Sequence, residues 1–110
     1  MDITFKETPI FTKQIRELLT DDEYKELQIL LIENPASGPV MKGTVGCRKI
    51  RWAKDHAGKS GGIRVIYYWI TDDQQIYMLL AFQKNEQENL TAAQKKVLQT
   101  LVRRELQGGS

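Results

Sequence analysis

Three strand-like runs, Cys47–Ala53, Ile63–Thr71 and Gln75–Gln83, follow one another along the chain, and the second is dense in β-branched and aromatic residues. That composition favours strands. Asp55–Gly62 joins the first two runs, and Thr71-Asp72-Asp73-Gln74 makes a short turn between the second and third. Strands linked this closely pair antiparallel, because a parallel pair needs a long crossover. The chain is thereby committed to an antiparallel sheet, and the flanking segments have to cover it.

Those segments read as helices. Ile3-Thr4-Phe5-Lys6 predicts a short opening strand, after which Thr8 and Pro9 have the N-cap and first-position identities of a helix. Phe11, Ile15, Leu18 and Leu19 share one helical face. Thr20 and Glu23 have capping-box spacing for a second helix, with Tyr24, Leu27, Leu30 and Leu31 as its apolar stripe and Asn34-Pro35 as its stop. The two are joined too tightly for a strand between them, so they form a helical hairpin. Ala36–Gly46, rich in Gly, Pro and Ser, reads as loop. Thr91 and Gln94 repeat the capping-box spacing before Ala93, Val97, Leu98 and Leu101. The order β-α-α-β-β-β-α predicts an α+β fold: an antiparallel sheet with an N-terminal helical hairpin and a C-terminal helix, the helices packed on one face. A single domain over residues 1–107 is expected, with 108–110 a flexible tail.

Several function classes drop out. Gly58-Lys59-Ser60 resembles the end of a phosphate-binding loop, but the glycine required five residues earlier is Ala53, and a strand follows where a helix is needed. Cys47 is the lone cysteine and His56 the lone histidine, so neither an internal disulfide nor a zinc cluster is expected. The sequence shows no apolar run of membrane-spanning length and no signal-peptide pattern. A cytoplasmic protein without cofactor, metal or membrane partner is the expectation.

The charge is unevenly spread. Residues 1–34 carry four Lys/Arg against eight Asp/Glu, whereas residues 35–70 carry seven Lys/Arg against Asp55 alone. Clustered cations of this kind meet phosphates by displacing counterions from a nucleic-acid backbone. They also occur as solvated lysines guarding strand edges. Alternation along Cys47–Ala53 sends Lys49 and Arg51 to one face and Ile50 and Trp52 to the other. With Ile50 and Trp52 under the helices, two cations stand together on the open face. Arg64, across the loop, and Lys84, at the end of the third run, can join them.

On GTVGCRKIRWA, GGIRVIYYW and YMLLAFQKNEQENLT, the chain resembles the RelE/HigB superfamily of bacterial type II toxins, in particular its HigB-like branch. The resemblance spans nearly the whole sequence in the same element order. It implies a ribosome-dependent endoribonuclease that cleaves mRNA in the A site of the 70S ribosome and arrests translation. It implies a cognate antitoxin as well, a helix-turn-helix DNA-binding protein whose complex with the toxin binds operator DNA. By resemblance, Lys49 transfers a proton near the attacking 2′-hydroxyl and Arg51 holds the scissile phosphate. Arg64 stabilises the phosphorane, and Lys84 neutralises phosphate or protonates the leaving 5′-oxygen. Asn85 stands where some relatives have arginine, and Thr91 where some have a base-stacking tyrosine.

Other residues admit two readings. Lys54 and Lys59 either grip RNA or are solvated loop lysines. Tyr67, with Tyr68 and Trp69, either stacks on a base or belongs to the core. His56 reads as a plain loop histidine, Cys47 as a buried thiol. The chemistry itself asks for little else: RNA carries its own nucleophile, and an enzyme need only align the phosphate, stabilise charge on it and assist proton transfer. The alternative on this fold is a non-enzymatic inhibitor of DNA gyrase, similar to the ParE branch, which has no need of cations gathered on one face.

Overall fold

The computed structural model describes residues 3–52, 62–71, 73–83 and 90–106. Its elements run β1 (Thr4–Glu7), α1 (Pro9–Leu18), α2 (Asp21–Glu33), β2 (Arg48–Trp52), β3 (Ile63–Ile70), β4 (Gln75–Gln83) and α3 (Ala92–Leu101), closed by a π-helical turn at Val102–Leu106. The α+β class and element order agree with the sequence reading, and so do the helix starts. Thr8 accepts from the Phe11 N–H at 3.0 Å, with Pro9 behind it. Thr20 and Glu23 close a reciprocal capping box, as do Thr91 and Gln94.

The sheet has the order β1-β4-β3-β2. β2 and β4 both pair antiparallel with β3, but β1 lies parallel to β4, so the sheet is mixed rather than antiparallel throughout. Short turns fixed the pairing of β2, β3 and β4. β1 reaches β4 only after the helical hairpin and two further strands, a separation over which local turn rules have no hold. Beyond the end of β1, α1 takes its place beside β4: the Ala81 N–H donates to the Gln14 side chain at 2.9 Å. A register shift opposite Ile66/Tyr67 makes Leu79 the extra residue of β4, and the buried Thr8 hydroxyl donates to its carbonyl at 2.9 Å. Glu7 ties the hairpin together, accepting from Thr12 Oγ1 and Tyr24 Oη at 2.5 Å each.

Apolar residues lie on both faces of this sheet. Phe11, Ile15, Leu27 and Leu31 pack with Ile50, Val65, Tyr67 and Met78 on one side. Leu98 and Val102 pack with Cys47, Ile66, Leu79 and Phe82 on the other. The expectation that all helices share one face is therefore corrected: α3 covers the face opposite the hairpin. The cause is legible in β3, where Ile63 through Tyr67 are all buried, Arg64 included. A central strand buried on both sides needs cover on both. α3 is also rotated from its expected stripe, since Val97 is 65% exposed while Leu98 and Val102 are buried.

Candidate functional site

The register of β2 on β3 decides what the cations do. Arg51 lies directly opposite Arg64, and Lys49 opposite Ile66. Directly paired residues project to the same side, with Cβ atoms about 4.5–5.5 Å apart. Ile50, Val65 and Ile63 belong to the cluster under the hairpin, so Lys49, Arg51 and Arg64 all project to the α3 side. Like charges placed directly across a ladder are unfavourable without an anion between them. Arg51 is exposed and Lys49 half-buried. Arg64, on the central strand, is 4% exposed and is flanked in register by Arg51 on one side and Phe82 on the other. Burial restricts the Arg64 guanidinium, and the residue is not without an interaction partner. A fork fixed this way suits phosphate oxygens.

Other candidates resolve differently. Tyr67 is 0% exposed; its hydroxyl donates to the Pro35 carbonyl at 2.7 Å and accepts from the Gly38 N–H at 2.9 Å. Such a ring has no face to offer a base, and its placement is that of a core residue pinning the 35–38 segment. Arg48 turns away from the other cations, donating to the Gly38 carbonyl at 2.8 Å and lying 5.8 Å from the centre of the Trp69 ring. Lys54, Lys59, His56, Lys84 and Asn85 lie outside the described residues. Thr91 caps α3 with its hydroxyl. Among the described residues no group of His, Cys, Asp and Glu is placed to hold a metal ion, and no helix is long and apolar enough to cross a membrane.

Cys47 is fully buried, and burial pushes its thiol up to about 11, partly offset by the neighbouring Thr44 side chain. It is no nucleophile. The sign of the shift makes its contribution to stability complete below the unfolded value of about 9 and lost as pH rises towards 11. Tyr24 and Tyr67 are raised by burial too and add to the same alkaline loss. A thiol reagent at mildly alkaline pH is expected to label Cys47 only as fast as the chain opens. Labelling of the folded protein at the rate of a free thiol would contradict this placement.

Two concave features went unseen in the sequence. Lys42 and Lys95 join Lys49 around a groove of about 270 Å³. A largely apolar groove of about 620 Å³ lies between the start of α1, β4 and α3, lined by Pro9, Ile10, Leu80, Val97 and Leu101 among others. Lys42 and Lys95 sit far apart in the chain, on a loop and a helix, so no spacing rule connects them. The apolar groove had a readable signal: Val97, on the predicted stripe of α3, is one turn from Ala93 and Leu101.

The family model described as the RelE toxin of the RelE/RelB toxin–antitoxin system matches residues 5–107. The chain belongs to the RelE toxin family. Solved RelE structures share its fold. The isolated Escherichia coli RelE toxin superposes with a TM-score of 0.57 at 14% identity, covering 91% of this chain and 99% of that one. RelE in the intact E. coli RelBE toxin–antitoxin complex gives 0.56 at 18% identity, covering 74% and 96%. A mutant E. coli RelE bound to a peptide of its antitoxin gives 0.52 at 19% identity, covering 74% and 82%. The RelE fold thus sets the frame in which Lys49, Arg51 and Arg64 meet.

Proposed function

We propose that this RelE-family toxin, of the HigB-like branch, is a ribosome-dependent endoribonuclease that cleaves mRNA in the A site of the 70S ribosome. The observation that carries the reading is the pairing of Arg51 with Arg64 across β2 and β3, with Lys49 on the same side. Arg51 binds the scissile phosphate from the exposed edge. Arg64, fixed in the sheet, stabilises the charge that builds on the equatorial oxygens as the 2′-hydroxyl attacks. Lys49 moves the proton of that hydroxyl. Lys84 serves the leaving 5′-oxygen, with Lys54, Lys59 and Asn85 contributing contacts to RNA. The nucleophile is the substrate's own hydroxyl, so the scheme asks for no metal. The bond formed is 2′-oxygen to phosphorus and the bond broken is phosphorus to 5′-oxygen, which leaves a 2′,3′-cyclic phosphate and a 5′-hydroxyl.

Membership in a toxin–antitoxin family supports a cognate antitoxin as partner. In this reading it is a helix-turn-helix DNA-binding protein that neutralises the toxin in the cytoplasm and takes it to operator DNA. The test is translation in a cell-free extract. Messenger loss that requires ribosomes, with cyclic phosphate on the new 3′ ends, is the expected result. Intact messenger together with relaxed plasmid would reject it in favour of a gyrase inhibitor.

A further inference from the structure

Beside the paired arginines, the segment from Gly38 to Cys47 is built rather than slack. Lys49 donates its N–H to the Pro39 carbonyl at 3.1 Å, and Val40 bridges to Arg48, so the segment seals the outer edge of β2. The approach at Gly38 is so close that a Cβ there would lie 2.7 Å from the Lys49 carbonyl oxygen. The Met41 N–H donates to the Cys47 carbonyl at 2.8 Å, and fully buried Thr44 donates its hydroxyl to the Met41 carbonyl at 2.7 Å. The tight reversal holds Val45 at φ 58°, a conformation costly for a β-branched residue. The Gln99 side-chain amide, on α3, donates to the Gly43 carbonyl and fastens the loop to the helix.

This construction brings Lys42 from the loop, Lys49 from β2 and Lys95 from α3 to one groove of about 270 Å³, walled by Val40, Met41 and Leu90. Among the described residues no acidic one lines it. Ammonium groups brought from three elements to one opening make a positive field there that favours an anion. The volume suits one sugar–phosphate unit rather than a larger ligand. Lys49 belongs both to this groove and to the face that carries Arg51 and Arg64, so the two are continuous.

We infer that the groove is a second phosphate subsite, in which Lys42 and Lys95 hold an RNA backbone phosphate next to the one gripped by Arg51 and Arg64. The inference rests on the nuclease reading for the neighbouring phosphate, and its test separates the two. Binding is measured by fluorescence anisotropy with a labelled single-stranded RNA that is 2′-O-methylated throughout and so cannot be cleaved. A second arm measures binding to mRNA-free ribosomes. Lys42→Ala with Lys95→Ala is expected to weaken binding about tenfold whatever the RNA sequence, and to make the slope of log K against log salt shallower by about 0.7–1.4. Lys42→Arg with Lys95→Arg should restore both.

A loss in the first arm assigns the phosphate to the messenger, and a loss confined to the second assigns it to ribosomal RNA. Wild-type affinity and salt slope in both arms, from a double variant with an unchanged melting curve, overturn the inference. Wild-type protein that binds the methylated strand through these lysines yet leaves ordinary messenger intact would sink the nuclease reading and leave the subsite standing.

Discussion

Arg64→Ala is expected to slow messenger cleavage on programmed ribosomes by about 10²–10³-fold, the loss that follows removal of a preorganised charge stabiliser. The residue is 4% exposed and directly opposite Arg51, so its charge acts where little water screens it. Truncating a buried polar side chain also costs about 1–3 kcal/mol where it leaves a partner unsatisfied. A domain with a net stability of about 5–15 kcal/mol remains folded after such a loss. Arg64→Lys keeps the charge but not the planar fork, and should recover part of the rate at most. Single-turnover cleavage alongside a thermal melt reads both quantities. A folded Arg64→Ala protein that cleaves at the wild-type rate removes Arg64 from the mechanism.

The second large effect is on stability. Phe11→Ala should cost about 3–5 kcal/mol, the range for emptying a buried aromatic site. Phe11 is 0% exposed, and its ring centre lies 5.9 Å from that of Tyr24 at a tilt of 52°. It belongs to the apolar cluster shared by α1, α2 and the sheet, so the cavity cannot close by the movement of one helix alone. Urea denaturation measures the change as a shift in midpoint at constant slope. A loss below about 1 kcal/mol would mean that the hairpin face repacks far more freely than a close-packed interior allows.

Local chemistry in the sequence was a reliable guide to local structure. Thr8, Thr20 and Thr91 each announced a helix start, because capping is settled within four residues. The alternation of Lys49 and Arg51 against Ile50 and Trp52 gave the correct sides of β2, because strand periodicity is equally local. What escaped was decided over distance. The parallel pairing of β1 with β4 depends on how residues 8–74 fold before the chain returns. The two-sided burial of β3 is written in Ile63–Tyr67, an apolar run interrupted only by Arg64, but the same composition fits a strand covered on one face. Tyr67 shows the same limit: its aromatic ring fits a base-stacking surface or a core equally well, and the two hydrogen bonds that place it in the core come from Pro35 and Gly38. The meeting of Lys42 with Lys95 follows from a loop conformation that glycines at positive φ permit and no periodicity encodes.

With one apolar cluster on each side, the sheet acts as a partition. The larger cluster, beneath the hairpin, contains none of Lys49, Arg51 and Arg64, which stand beyond the wall. Silencing the chain and unfolding it are therefore separable operations. Under the proposed mechanism, a variant altered at the exposed Arg51 loses its hold on the phosphate while the cluster beneath the hairpin, and the helical surface over it, stay as they are.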